Sequence, residues 1–86
     1  MKRNYNDKAY EDFRKQVLRR DKKMCKMPGC KNTSGLNVHH IKKWSSAYSL
    51  RYEPSNGITL CKQCHKSISG KELHYEALFM EIINEL

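Results

Sequence analysis

Long hydrophobic segments are missing from this 86-residue sequence. Its longest apolar run has four residues, Ala77 to Met80, whereas a helix that crosses a bilayer needs about 20. The basic start Met1-Lys2-Arg3 is not followed by an apolar stretch, so we expect no secretory signal peptide. We therefore expect a cytoplasmic protein without membrane segments, whose cysteines stay reduced.

Apolar and aromatic residues are also scarce, at 38% and 9% of the chain. A chain of this length predicts a single domain over residues 1–86, and it buries only about 60–65% of its unfolded surface. Small polar domains with such thin cores commonly need disulfides, a metal or a partner for stability. The four cysteines would suffice for either of the first two.

Acidic residues are outnumbered, with 9 Asp+Glu against 17 Lys+Arg and a formal net charge of +8. Residues 1–43 hold 13 basic and 4 acidic residues (13 − 4 = +9), and residues 44–86 hold 4 and 5 (4 − 5 = −1). Clustered positive charge is typical of proteins that bind a nucleic-acid backbone, although a solvated basic surface would give the same composition.

Hydrophobic periodicity predicts a helix over residues 7–20, with Tyr10, Phe13 and Val17 on its core-facing side. Basic residues occupy another side, which could follow a phosphate backbone or simply face solvent: Lys8, Lys15, Arg19 and Lys22.

Two short apolar segments, residues 36–41 and 58–60, predict strands. A long polar connection separates them and ends in the turn pair Asn56-Gly57. A helix should begin at Cys61 and reach about Ser67.

The capping-box spacing of Ser69 and Glu72 predicts a last helix over residues 69–86. This helix should carry a broad apolar stripe, which consists of Leu73, Ala77, Met80 and Ile83 with Phe79, Ile82 and Leu86 beside them.

The four cysteines form two closely spaced pairs, Cys25-x4-Cys30 and Cys61-x2-Cys64. Both sulfurs of such a pair can bind one ion at about 2.3 Å, and four thiolates complete a tetrahedral zinc site. A closed site of this kind would be structural and would contribute on the order of 10 kcal/mol to folding. Disulfides or a redox Cys-x2-Cys pair are the alternatives, but the strand–helix alternation of a thioredoxin-like domain is absent.

Zinc binding leaves His39, His40, His65 and Asn56 unexplained. Two neutral imidazoles can hold a divalent cation, and a third can take a proton from water because its unperturbed pKa is about 6.5. Strict strand alternation would send His39 and His40 to opposite faces, so a bend or a phosphate between the two rings would be needed. His65 could also replace Cys64 as a zinc ligand, and each histidine taken singly is more often an ordinary surface or core residue.

The runs Leu36-Asn-Val-His-His-Ile41 and Asn56-Gly-Ile-Thr-Leu-Cys-Lys-Gln-Cys-His65, preceded by Cys25 and Cys30, resemble the HNH endonucleases. The chain looks like the small, phage-type members with a four-cysteine zinc, and the resemblance covers about residues 10–75.

This resemblance implies an α+β fold: a small zinc-stabilised, treble-clef-like ββα-metal domain with flanking N- and C-terminal helices. Residues 25–67 would form the zinc and ββα-metal core between the helices predicted over 7–20 and 69–86.

Carried over residue by residue, the resemblance implies that His40 is the general base and that His39 and His65 hold a catalytic metal which stabilises the leaving 3′-oxygen. Asn56 matches the asparagine that orients the base-bearing loop and that in some members contacts the metal. Some members have a further histidine one helical turn on, where this chain has Ser69, so phosphate and water would complete the coordination. Mg²⁺ or Mn²⁺ is the expected metal, although imidazole ligands also suit Ni²⁺ or Zn²⁺.

DNA is the expected substrate, with Lys42, Lys43 and Arg51 as phosphate contacts, while Trp44 either stacks on bases or anchors the small core. Family analogy alone suggests an association with phage terminase or packaging proteins in the host cytoplasm. The alternative function is a non-catalytic, zinc-stabilised nucleic-acid-binding module, followed by a zinc scaffold for protein interactions. His74, in the acidic C-terminal helix, is expected to be a surface or packing residue.

Overall fold

Two helices of 13 residues flank a small hairpin-and-helix unit in the computed structural model, which describes residues 8–42 and 52–85. In chain order the elements are α1 (Lys8–Arg20), β1 (Leu36–His40), a 3-10 turn (Pro54–Asn56), β2 (Gly57–Cys61), α2 (Lys62–Ser67) and α3 (Glu72–Asn84). The α+β class and the flanking helices predicted from the sequence are confirmed. Among the described residues, no helix combines the length and the apolar character that crossing a membrane requires.

The two strands form an antiparallel pair whose register runs from Leu36 opposite Cys61 to His40 opposite Gly57. All five positions of β2 are buried, whereas β1 is exposed or half-buried in its first three residues. Ile58 and Leu60 of β2 belong to the hydrophobic core. The same core contains Ile68, which directly follows α2, and Phe79 and Ile83 of α3. Within the described residues, β2 is therefore covered along its whole length, whereas β1 pairs with no strand other than β2.

Helix α1 packs against the hairpin through Phe13 and Val17, which are both buried, as the periodicity predicts. A Cβ atom at Gly57 would lie 2.8 Å from Phe13 Cζ and 2.8 Å from Val17 Cγ2. The pair Asn56-Gly57 is not the tight turn predicted from the sequence, because Gly57 has an extended φ of −121° and the turn is formed by Pro54–Asn56. Glycine is required here for the close approach of the helix to the strand.

The last helix begins later than the capping-box spacing predicts, and the prediction of a helix start at Ser69 is wrong. Ser69 continues a turn after α2, since its N–H donates to the Lys66 carbonyl at 3.2 Å. Gly70 then takes a left-handed φ of +82°, which interrupts the helical path. Lys71 becomes the N-cap and makes no side-chain capping bond.

The buried side of α3 is also narrower than the predicted stripe. Phe79 and Ile83 are buried, whereas Leu73, placed in the stripe from the sequence, is 79% exposed. α3 lies nearest to the turn Pro54–Asn56, and it reaches the core through Phe79 and Ile83, which share one side of the helix. Periodicity alone does not show how much of an apolar stripe will be covered.

Candidate active site and metal centre

The first cysteine pair lies on a loop between α1 and β1. The Cys25 N–H donates to the Asn32 carbonyl at 2.8 Å, and the Cys30 N–H donates to the Met27 carbonyl at 2.9 Å. Gly29 takes a φ of +83°, a left-handed conformation that favours glycine. The loop folded in this way brings both thiols close to the end of β2.

The second pair lies at the junction of β2 and α2. Cys61 is the last residue of β2 and the N-cap of α2, where its Sγ accepts a hydrogen bond from the Cys64 N–H at 3.4 Å. The Sγ atoms of Cys25, Cys30, Cys61 and Cys64 all lie within 4.8 Å of one another. The convergence of four cysteines that the spacing predicts is therefore present in the fold.

The arrangement fits a structural metal such as zinc. The sulfurs of Cys30 and Cys61 are 3.8 Å apart, and a tetrahedron with Zn–S bonds of about 2.3 Å has edges of about 3.8 Å. That separation is too long for a disulfide between these two residues, whose sulfurs would be about 2.05 Å apart. His65 is not among the four gathered ligands and Cys64 is, which argues against a zinc site in which His65 replaces Cys64.

Hydrogen bonding and burial give the cysteines unequal acidities. The Cys64 backbone N–H lowers the pKa of Cys61 from an ordinary 9.0 to about 6. Burial raises the pKa of Cys25 and of Cys64. Four thiolates therefore do not form together at neutral pH unless a cation compensates them, and binding of a divalent metal would release the remaining protons.

Two of the predicted site histidines come together across β1 and α2. The ring centroids of buried His39 and exposed His65 are 5.4 Å apart, with the planes at 61°. Phe79 of α3 meets the His39 ring edge-on, at 5.7 Å between centroids. Two imidazoles that bind one ion through bonds of about 2.1 Å have centroids about 4.7–5.4 Å apart, so the observed separation is at the upper end of that range, and a T-shaped ring contact without a metal gives it equally. In the described part of the chain, only the cysteines form a group of three or more such ligands.

His40 lies on the other face of the hairpin, as strand alternation requires. Its ring stacks on Phe13 of α1, with centroids 4.9 Å apart and planes at 19°, and only 8% of the residue is exposed. β1 continues in register through His40, which pairs with Gly57, so no bend turns this ring toward His39. The expected convergence of three imidazole rings is thus found for two of them.

Asn56 binds the chain that directly follows His40. Its Oδ1 accepts from the Lys42 N–H at 2.8 Å, and its Nδ2 donates to the Lys42 carbonyl at 3.2 Å. The Asn56 carbonyl also accepts from the Ile41 N–H at 2.8 Å. These bonds have the geometry that a loop-orienting asparagine needs, while its part in catalysis stays a prediction.

An ion pair at the end of α1, which the sequence analysis did not anticipate, holds the start of β2. The Arg20 guanidinium binds the Asp21 carboxylate through two bonds of 2.8 and 3.0 Å. It also donates to the carbonyls of Pro54 and Gly57, both at 2.6 Å, and Asp21 Oδ2 accepts from the Thr59 N–H at 3.0 Å. The pair clamps the segment that carries Asn56 against α1.

One local feature could have pointed to this clamp. Asp21 follows the last residue of α1, where the helix macrodipole disfavours a negative charge. Its side chain is fully buried, and a buried carboxylate is tolerated only with bonded partners. An aspartate at this position therefore indicates a partner, but the sequence does not show that the partner includes the backbone of β2.

Of the predicted phosphate contacts, the structure describes Lys42. Its Nζ forms an ion pair with Glu76 Oε1 of α3 at 3.0 Å, with side chains 43% and 28% exposed. The cation is thus partly compensated within the chain. His74 is exposed on α3, in agreement with a surface residue, and Ser69 is exposed too. Three further predicted residues lie outside the described part of the chain: Lys43, Trp44 and Arg51.

One comparison with known proteins found a match. The family profile described as HNH endonuclease matches residues 23–71, more than half of the 86-residue chain. The matched segment contains all four cysteines, both strands and α2. Searches of curated proteins and of solved structures found no match to the chain.

Proposed function

Because the chain belongs to the HNH endonuclease family, we propose that it is a metal-dependent endonuclease that hydrolyses the phosphodiester bonds of DNA. The observation that carries the proposal is the pairing of His39 with His65, together with the bonds from Asn56 to the peptide after His40. The net charge of +8 supports a nucleic-acid substrate.

In this proposal the four cysteines hold a structural zinc. Four thiolates leave no open coordination position, so this metal takes no part in the reaction. It would tie the loop of Cys25 and Cys30 to the junction of β2 and α2. Since His65 directly follows Cys64, the same metal would also fix the start of the helix that presents His65.

His39 and His65 would hold a second, catalytic metal, with Mg²⁺ or Mn²⁺ as the first candidates and Ni²⁺ or Zn²⁺ also suited to imidazole. When bound, this ion would neutralise the scissile phosphate and stabilise the leaving 3′-oxygen. The exposed side of His65 leaves the pair open to solvent and substrate. An open side is what distinguishes a catalytic metal position from a structural one.

His40 is proposed as the general base. It would accept a proton from water, whose oxygen attacks the phosphorus in line while the 3′-oxygen leaves. The family resemblance implies 5′-phosphate and 3′-hydroxyl ends. Stacking on Phe13 holds the His40 ring in one orientation, and the bonds made by Asn56 hold the peptide that follows it.

The alternative is a zinc-stabilised nucleic-acid-binding module without chemistry. The placement of His40 on the face opposite His39 and His65 favours it, since one ion cannot contact all three rings in this arrangement. A binding module requires only the zinc and the positive charge, and it leaves the buried histidines without a role. Action beside a phage terminase in a host cytoplasm remains an expectation from family analogy.

The test is conversion of supercoiled plasmid by zinc-loaded protein, with Mg²⁺, with Mn²⁺ and with no added divalent metal. An endonuclease nicks or linearises the plasmid only when metal is added. The exposed His74 on α3 provides a matched control for His40, because both variants, His40→Ala and His74→Ala, remove one imidazole. Nicking by wild type and His74→Ala but not by His40→Ala supports the proposal, and plasmid retardation without nicking under every metal supports the binding module.

A further inference from the structure

Among the described residues, a cleft lies along the edge of β1 that does not pair with β2, and His65 is the proposed site residue that lines it. Its volume is about 620 Å³, within the range of about 300–1,000 Å³ that is typical of ligand clefts. α1 forms one wall, the edge of β1 the floor, and α2 the other wall. The residues that define these three sides are Arg14 and Lys15, Asn37 and Val38, and His65.

We propose that this cleft binds the sugar-phosphate backbone of the DNA strand that is cut, with Arg14 and Lys15 as phosphate ligands. The inference rests on the proposed function, because His65, a proposed metal ligand, lines the same cleft. A strand that follows the edge of β1 passes from the side of α1, where His40 lies, to the side of His65. His65 lines this path, whereas His40 is buried against Phe13 on the α1 side of β1 and does not line the cleft.

The two cations of the cleft are available for an external anion. Within residues 8–42 and 52–85, Lys8, Arg20 and Lys42 form ion pairs with carboxylates, and neither Arg14 nor Lys15 does. Arg14 is half-buried in the wall, and its planar guanidinium suits bidentate contact with a phosphate. These two residues can therefore bind a phosphate without breaking an internal ion pair.

The length of the wall formed by α1 limits how many nucleotides the cleft can hold. From Glu11 to Lys15 the helix rises by about 6 Å, at about 1.5 Å for each residue. A strand of B-form DNA advances about 3.4 Å for each nucleotide. The cleft therefore holds about two nucleotides of one backbone, as expected for a site that positions a scissile phosphate and its neighbour.

Glu11 lines the same wall and opposes the proposed ligand. Its carboxylate lies three and four positions before Arg14 and Lys15, so the three side chains are neighbours on the helix surface. A phosphate in the cleft is repelled by Glu11 and attracted by the two cations. Removal of a positive charge from this wall should therefore weaken DNA binding, and removal of the negative charge should strengthen it.

Affinity for a labelled DNA duplex, measured by fluorescence anisotropy on zinc-loaded protein without added divalent metal, tests the proposal. Arg14→Ala should raise the Kd about tenfold, the loss expected for one charge-assisted contact. It should also lower the slope of log Kd against log salt by about 0.9. The matched control is Arg19→Ala, which removes the same charge from an exposed position of α1 outside the cleft and should change the Kd by less than about twofold.

Equal changes in Arg14→Ala and Arg19→Ala would overturn the proposal, since they would show attraction to the overall charge only. If Arg14→Ala does not fold, two variants of acidic residues on α1 test the proposal instead. Glu11→Gln should then tighten binding, whereas Asp12→Asn, at an exposed position outside the cleft, should not. Equal effects of these two variants would contradict the cleft as a binding site.

Plasmid nicking with Mg²⁺ or Mn²⁺, measured on the same preparations, separates this inference from the proposed function. Wild type that binds DNA through the cleft but never nicks refutes the nuclease and leaves the cleft intact. Wild type that nicks, combined with Arg14→Ala binding as tightly as Arg19→Ala, refutes the cleft and leaves the nuclease intact.

Discussion

The cysteine cluster and the histidine pair differ in how completely their side chains would surround a metal ion. Two separate segments bring four sulfurs within 4.8 Å of one another, whereas His39 and His65 supply two rings, one of them exposed. A metal that is fully coordinated by protein side chains stabilises a fold and has no open coordination position for a substrate. A metal with fewer protein ligands keeps open positions that water and substrate can occupy. The comparison predicts that changes at the cysteines affect stability and changes at the histidines affect activity.

The largest effect is expected at the cysteines. Cys61→Ser, or removal of zinc by a strong chelator, should cost on the order of 10 kcal/mol and unfold the domain. Far-UV circular dichroism with a colorimetric zinc assay measures both events. A zinc-free protein that keeps its helical spectrum and its plasmid nicking would break the comparison.

His40→Ala should lower the single-turnover cleavage rate by about 10²–10⁴, the usual contribution of a general base. Zinc content and the circular dichroism spectrum should remain those of wild type. The contact with Phe13 is lost as well, so His40→Gln, which keeps more of the side chain, is the companion variant. Cleavage at the wild-type rate by either variant would remove His40 from the mechanism.

Asp21→Ala should affect stability without touching the cysteines or the proposed metal ligands His39 and His65. It removes the partner of the partly buried Arg20 and the acceptor of the Thr59 N–H. We expect a loss of about 3 kcal/mol in the free energy of unfolding, measured with urea on zinc-loaded protein. Asp12→Ala is the control, since its exposed pair with Lys8 is worth only about 0.5 kcal/mol. Equal losses in the two variants would show that the buried pair of Arg20 and Asp21 stabilises the fold no more than an exposed ion pair does.

The smallest change in free energy is expected at His65. This residue is exposed, so His65→Ala should leave the free energy of unfolding within about 0.5 kcal/mol of wild type. The Mn²⁺ concentration for half-maximal cleavage should rise at least about 10-fold, since even the outer partners of metal ligands have effects of 10–100-fold. Unfolding of this variant, or an unchanged Mn²⁺ requirement, would contradict the division of roles.

Features that depend on local order in the chain could be predicted from the sequence, and features that depend on distant contacts could not. Periodicity located α1, and the spacing of the cysteines predicted their convergence. The pair Asn56-Gly57 predicts a tight turn, but glycine is needed at position 57 because Phe13 and Val17, which are far away in the chain, pack against it. The clamp between Arg20 and β2 escaped sequence analysis for the same reason.

Strand alternation illustrates the same limit within the site. It predicts that His39 and His40 lie on opposite faces, and the structure agrees. Of the two alternatives, a bend is not found in β1, which stays in register to its end, and a phosphate between the two rings stays a prediction. What could not be predicted is the cleft beside them, because one of its walls depends on where α1 packs.

A divalent ion should bind at His39 and His65, apart from the cysteines. Mn²⁺ titrated into zinc-loaded protein should broaden the imidazole proton resonances of these two residues first, because a paramagnetic ion relaxes the nearest nuclei most. The thiolates should keep their zinc, the softer ion, and His74 on α3 is the internal control. Selective broadening of His39 and His65 is the result predicted here, and broadening of His74 to the same degree would contradict it.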